Sequence, residues 1–164
     1  MIYGDPYYFG VHIDVIYKND NNPDMNLGAF NFIIDDVFFP GKGANYTLKM
    51  VTNHLVGNLD ELRSIKEQSV DRVNEPSFPL MLAHSFRQWL SSDVEHCFSE
   101  NNEVVGVDLT PLEFSDLGYY IFYVLTSESE YVFSTRDSGK TFNKKVLPKG
   151  YVVGVLELLK GYTF

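Results

Sequence analysis

Between Tyr7 and Tyr17 the chain alternates, with Phe9, Val11, Ile13 and Val15 on one side of an extended backbone and Tyr8, His12, Asp14 and Ile16 on the other. A period of two carried by β-branched and aromatic residues predicts a strand with one buried and one mixed face. KNDNNPDMN then reads as a surface loop, because Asn, Asp and Pro favour turns over ladders. GAFNFIID, residues 28–35, predicts a second strand, and VFFPG predicts a short third. Asp35-Asp36 between them marks a hairpin tip, although the preferred Asn-Gly pair is absent, and strands joined so closely pair antiparallel.

The period then changes. In NYTLKMVTNHLVGNLDELRSIK the apolar residues Leu48, Val51, Leu55, Leu59 and Leu62 recur every three or four positions, one stripe of an amphipathic helix. Asn45 or Thr47 is placed to cap its start, and Gly57 allows a break in the middle. EQSVDRVNEPS is a polar connector. PSFPLMLAHSFRQWLSS predicts a second helix, with Ser77 before Pro79 in the first turn and Leu82, Phe86 and either Trp89 or Leu90 along its apolar face. SDVEHCFSENNE follows as an acidic loop. The last third returns to strands in EVVGVDL, GYYIFYVLT, EYVFST and TFNKKVL, with SESE and RDSGK as turns. PKGYVVGVLELLKGY has a helical length but many valines, so its residues alone do not decide its state. The order of elements predicts a single α+β domain over residues 1–164, a mostly antiparallel sheet packed with two or three helices.

Composition fits this picture. The 164 residues are 45% hydrophobic and include 13 Phe and 11 Tyr, ample for a core and suited to a pleated surface. Charge narrows the function. Twenty-two acidic against 13 basic residues give a net charge of −9, which disfavours binding to phosphate backbones and favours a basic protein partner. A single cysteine, Cys97, permits no internal disulfide and suits a reducing compartment. Asp5 and Pro6 interrupt any apolar leader, and no apolar run reaches membrane-spanning length, so a cytoplasmic protein is expected.

Candidate chemistry is sparse. DSGKT at 137–141 has the Gly-Lys-Thr of a phosphate loop but Ser134 where the first glycine belongs, and it reads as a turn. Asp20 to Asn26 has alternating oxygen ligands, yet Met25 stands where a calcium loop turns on glycine and Asn31 where the bidentate Glu belongs. His84, His96 and Cys97 lack the spacing of a zinc site. Cys97 has Glu95 and Glu100 as neighbours, which disfavour a thiolate. No serine sits in a GxSxG elbow. Asp35 with Asp36, and Glu128 with Glu130, form paired carboxylates at predicted hairpin tips, where exposure leaves them no dry pocket for acid–base work. Asn45-Tyr46-Thr47 matches a glycosylation acceptor that a cytoplasmic protein would not use. No catalytic residue, metal site or cofactor is expected.

Two segments, MIYGDPYYFGV and GAFNFIIDDVFFPGKGANYTLKMV, resemble bacterial immunity proteins of polymorphic toxin and contact-dependent growth inhibition systems, and are most similar to the immunity protein 42 family. Met-Ile-Tyr-Gly-Asp-Pro before a strand and Phe-Pro-Gly-Lys-Gly before a Thr-Leu helix carry the resemblance. It covers about the first third of the chain, with a weaker likeness of layout in GYYIFYVLTSESEYVF and the LPKG segment; residues from about Asp60 to Glu103 show none. The resemblance implies a cytoplasmic protein, encoded beside a toxin, that protects its cell by binding the toxin domain. It also implies that the LPKG segment is helical, that Gly41 and Gly43 serve the fold, and that Lys42 is no ligand.

On this reading the chain acts as a monomer in a one-to-one complex with a toxin C-terminal domain. The negative charge suits a basic nuclease as that toxin. The expected contacts are acidic: Asp93, Glu95, Glu100 and Glu103 around the aromatic Phe98, and the tips at Asp35, Asp36, Glu128 and Glu130. Two other classes stay open on sequence: a small enzyme assembled only in three dimensions, which a pocket joining His84, His96 or Cys97 to a carboxylate would favour, and a ligand-binding module, which an enclosed apolar pocket would favour.

Overall fold

The computed structural model describes residues 1–41, 45–86 and 104–162. The chain opens with β1 (Ile2–Asp5), an exposed edge strand too short for a clear alternation, which turns back into β2 (Phe9–Tyr17). Gly4 makes this possible. Its φ is +86°, and a Cβ there would lie 2.6 Å from the Phe9 carbonyl oxygen. Pro6 follows, and the Asp5 carboxylate accepts from the Tyr7 N–H at 3.0 Å to close the turn. The Gly-Asp-Pro motif is thus a turn determinant. A 3₁₀ turn at Pro23–Met25, capped by the Asn22 side chain, occupies the stretch with calcium-loop spacing.

β3 (Leu27–Ile34) and β4 (Val37–Phe39) form the expected hairpin. Asp35 and Asp36 have φ of 53° and 60°, the two positive values of a type I′ turn, which Asp tolerates better than most residues. Beyond it Gly41 has φ +76° and donates its N–H to the Asn31 side chain at 2.9 Å. β5 (Tyr46–Thr47) pairs with the start of β3, completing a sheet ordered β1-β2-β3-β4 with β5 alongside β4 on β3.

The helical stripe folds as α1 (Leu48–Gly57) and α2 (Leu59–Ser64), broken after Gly57 as its weakness there suggests. Thr47 stands at the cap position, but its side chain makes no capping bond. The Leu48 N–H donates instead to the Asn26 carbonyl at 3.1 Å, so a loop carbonyl does the work expected of a side chain. α3 (Val70–Val73), capped by Ser69, interrupts the polar connector, and α4 (Phe78–Ser85) is the second expected helix.

β6 (Val107–Asp108), α5 (Leu112–Ser115), β7 (Tyr120–Leu125), β8 (Glu130–Thr135) and β9 (Asn143–Leu147) follow. The strands make a second antiparallel sheet ordered β6-β7-β8-β9. α6 (Tyr151–Leu158) and a 3₁₀ turn at Leu159–Gly161 follow, so the segment led by LPKG is helical. The fold is α+β, as expected, but its strands divide between two antiparallel sheets where the sequence suggested one. Among the described residues no helix is long and apolar enough to cross a membrane.

Two apolar clusters explain the division. Phe9, Val11, Ile13, Phe30 and Phe32 project from the first sheet into a cluster that takes in α1, α2 and α6 and one face of the second sheet, through Ile121, Tyr123 and Val132. Tyr120, Phe122, Val124, Tyr131 and Phe133 project the other way, against Val73 of α3 and Phe78 and Leu82 of α4. The second sheet is therefore covered on both faces. Its central strands β7 and β8 are buried along almost their whole length for that reason.

Candidate functional site

The β3–β4 turn does not stand free. The Asp36 N–H donates to the Pro6 carbonyl at 2.7 Å, docking one hairpin tip on the other. Asp35 pairs with Lys145 of β9, and the same ammonium donates to the Tyr7 carbonyl at 3.1 Å and lies 5.5 Å from the Tyr8 ring centre. Tyr8 in turn packs on Tyr151, at the start of α6, with centroids 5.8 Å apart. On the far side, Arg136 just after β8 donates to the Phe38 carbonyl at 2.6 Å and sits over the Phe39 ring at 5.5 Å. Two cations of the second sheet thus latch the hairpin tips of the first.

Between these latches the sheets part. Ile34, Val37, Phe39, Ser134, Asn143 and Lys145 help line a half-open cleft of about 380 Å³. β4 and β9, which flank it, are both outermost strands of their sheets. The surrounding surface carries apolar and aromatic groups in water: Tyr7 is 71% exposed and Val37 51%, with Tyr8, Phe38 and Val146 also exposed. Tyrosine, phenylalanine and arginine in one patch, rimmed by charge, is the composition of a protein-binding surface. The arrangement suits docking. Among the described residues no group of three or more His, Cys, Asp or Glu comes together to hold a metal ion.

The acidic residues expected to bind a partner fare differently. Asp35 and Asp36 lie in this patch; Asp35 is engaged with Lys145, while the Asp36 carboxylate has no partner among the described residues. Glu128 is exposed in the β7–β8 turn, at the opposite end of β8 from Arg136. Glu130 is a correction. Expected at an exposed tip, it is 1% exposed and accepts hydrogen bonds from the Tyr123 hydroxyl at 3.0 Å and from the N–H groups of Gly150 and Val152. The reason is α6, whose first turn lies over the end of β8 and points free N–H groups at the carboxylate. Asp93, Glu95, Phe98, Glu100 and Glu103 lie outside the described residues, as do His96 and Cys97. The 137–141 phosphate-loop look-alike is a turn, in which the Asp137 carboxylate accepts from the Thr135 hydroxyl and from the N–H and hydroxyl of Thr141.

Sequence reasoning missed Tyr7, Tyr8, Val37, Phe38 and Arg136 as site residues. The signal was there in part, since a Tyr-Tyr pair straight after Gly-Asp-Pro sits on a turn, where aromatic rings cannot be buried in a sheet face. Nothing local marks Arg136.

The Tyr123 phenol beside Glu130 carries a testable pH signature. Burial, then the Glu130 charge and its hydrogen bond, push the phenol well above the ordinary tyrosine value. Burial also raises Tyr3, Tyr46, Tyr120 and Tyr162. Unfolded phenols ionise near about pH 10; the folded ones hold their protons higher, so above that point the folded state binds more protons than the unfolded. Stability is fully present below about pH 10 and falls as pH rises through the folded values. Urea midpoints are expected to be flat from pH 8 to 9.5 and to drop steeply by about pH 11, with a shallower drop in Tyr123→Phe. A midpoint that stays level to pH 11 would contradict the buried phenol.

The family pattern described as immunity protein 42 matches residues 1–162. The chain belongs to the immunity protein 42 family. The match takes in the middle of the chain, where the sequence alone showed no likeness. An uncharacterized protein of Pasteurella multocida (strain Pm70) is 31% identical over 146 residues, covering 79% of this chain and 82% of its own length. The crystal structure of CdiI from Burkholderia dolosa AUO158 superposes with a TM-score of 0.69 over 99% of this chain and 100% of that one; at 19% identity this shows a shared fold. An immunity protein of this family inhibits a toxin and does no chemistry of its own, so the enzyme reading is closed.

Proposed function

We propose that this immunity protein binds a cognate toxin domain stoichiometrically, one to one, in the cytoplasm, and neutralises it without covalent chemistry. The observation that carries the reading is the family match over residues 1–162. The toxin is a nuclease: a net charge of −9 speeds association with a basic partner, and a nuclease must be basic where it meets phosphate. Asp36 and Glu128, exposed and acidic, serve as steering and rim contacts, together with Asp35 and the acid-rich stretch of Asp93, Glu95, Phe98, Glu100 and Glu103. Rim charges of this kind act mainly on the rate of association and its salt dependence.

Co-purification with the toxin domain encoded beside its gene, followed by rescue of cells expressing that toxin, tests the reading. A one-to-one complex and full rescue are expected, with an association rate that falls as salt rises. Absence of both binding and rescue would overturn it. A neutralised toxin with no activity on RNA or DNA would remove the nuclease step alone.

A further inference from the structure

The cleft between β4 and β9 differs in charge from the molecule around it. In a chain of net charge −9, the charged residues along it are Arg136, Lys144, Lys145 and Asp35. Asp35 neutralises Lys145. Lys144 alternates to the other face of β9, where its ammonium meets the Asn74 side chain at 2.8 Å. Arg136 is left facing the cleft with one bond, to the Phe38 carbonyl, and with no carboxylate partner among the described residues. Its guanidinium lies over the Phe39 ring, which holds the plane in place, and the rest of its N–H fork has no acceptor among the described residues.

An oriented guanidinium beside apolar Ile34, Val37 and Phe39 has a definite complement. A carboxylate matches the fork with two parallel bonds, and an apolar neighbour on the same segment matches the floor. Holding the plane beforehand reduces the entropy lost on binding. A phosphate backbone fits less well, because a polyanion would have to approach the surrounding negative charge.

We infer that the β4–β9 cleft receives an aspartate or glutamate side chain of the toxin, flanked by an apolar residue, with Arg136 as its carboxylate receptor. The inference rests on the proposed toxin-binding function and adds to it an anchor of the opposite sign to the acidic rim. Acidic residues steer the encounter, and one arginine fixes the register.

Titration calorimetry against the cognate toxin domain tests this, using the full chain and four variants. Arg136→Gln is expected to weaken binding roughly 10- to 100-fold, as loss of a central arginine anchor does. Arg136→Lys keeps the charge and a donor for the Phe38 carbonyl, but not the fork; it should fold like the parent and still lose most of that affinity. Lys49→Gln, in α1 and outside the cleft lining, should bind within about twofold of the parent. The decisive readout is reciprocal: Arg136→Glu abolishes binding, and a lysine replacing one toxin carboxylate restores it, which a purely structural arginine could not produce. If the parent binds and the Arg136 variants bind equally well, the inference fails and the toxin-binding function stands. If the parent does not bind at all, the function fails and the inference with it.

Discussion

Glu130→Ala is expected to cost about 3–5 kcal/mol of folding stability, one of the largest single losses available in this chain. Its carboxylate accepts from the Tyr123 hydroxyl and from the N–H groups of Gly150 and Val152. Those two backbone groups open α6. The residue at its cap position is Gly150, at φ 81°, which has no side chain to accept from the Val152 N–H. Alanine would strand three donors in a site the parent keeps 99% closed, taking Glu130 at 1% exposure. Each stranded donor costs about 1–3 kcal/mol, softened where water can enter.

Glu130→Gln is expected to cost less, about 1–3 kcal/mol, because one oxygen still accepts while the amide nitrogen turns a donor toward another donor. Urea unfolding of both variants measures this. A loss below about 1 kcal/mol for the alanine variant would show that α6 finds other partners. The damage would reach the binding face, since Tyr151 in the first turn of α6 packs on Tyr8 and accepts a bond from the Asp5 N–H.

Glu130 also shows where local reading stops. S-E-S-E between two apolar runs is turn chemistry, and the turn is real: Thr126 bonds the Ser129 carbonyl and accepts from the Ser129 N–H. What buries the second glutamate is a helix twenty residues later in sequence, which no local pattern announces. In the first sheet β2 was legible because Val11 and Ile13 are buried while His12 and Asp14 face outward, so it alternates; β3 was legible from composition alone, since Phe30 to Ile33 are all buried. The second sheet gave runs without alternation, and those cannot say which residues face which cluster. α3 and α5, at four residues each, span barely one turn and so show no repeat of the period that reveals a helix. Of the site, Asp35 and Asp36 were legible from turn chemistry. Arg136 was not, because its role depends on a carbonyl and a ring nearly a hundred residues away.

Phe114→Ala is expected to be the comparable loss in the core, about 3–5 kcal/mol. Phe114 comes from α5, is fully buried, and its ring lies 5.2 Å from Tyr46, 5.9 Å from Phe30, 6.0 Å from Phe32 and 6.2 Å from Phe39. All four partners belong to the first sheet, while α5 sits in the chain between β6 and β7 of the second. One side chain therefore joins the sheets through edge and tilted ring contacts, each worth something beyond the area it buries. Truncation leaves a cavity that four rigid rings cannot easily fill. Phe114→Leu should recover much of the loss, to about 1–2 kcal/mol. The effect is not confined to stability. Phe39, held from beneath by Phe114, is both the floor of the cleft and the platform for Arg136. With that support gone, the guanidinium loses its fixed plane. Phe114→Ala should bind toxin less tightly even in the cold, where it remains folded, and Phe114→Leu should bind nearly as the parent does. Paired urea and calorimetric measurements separate the two effects. If the alanine variant lost stability but bound with full affinity when folded, the ring under Phe39 would hold the sheets together without shaping the cleft between them.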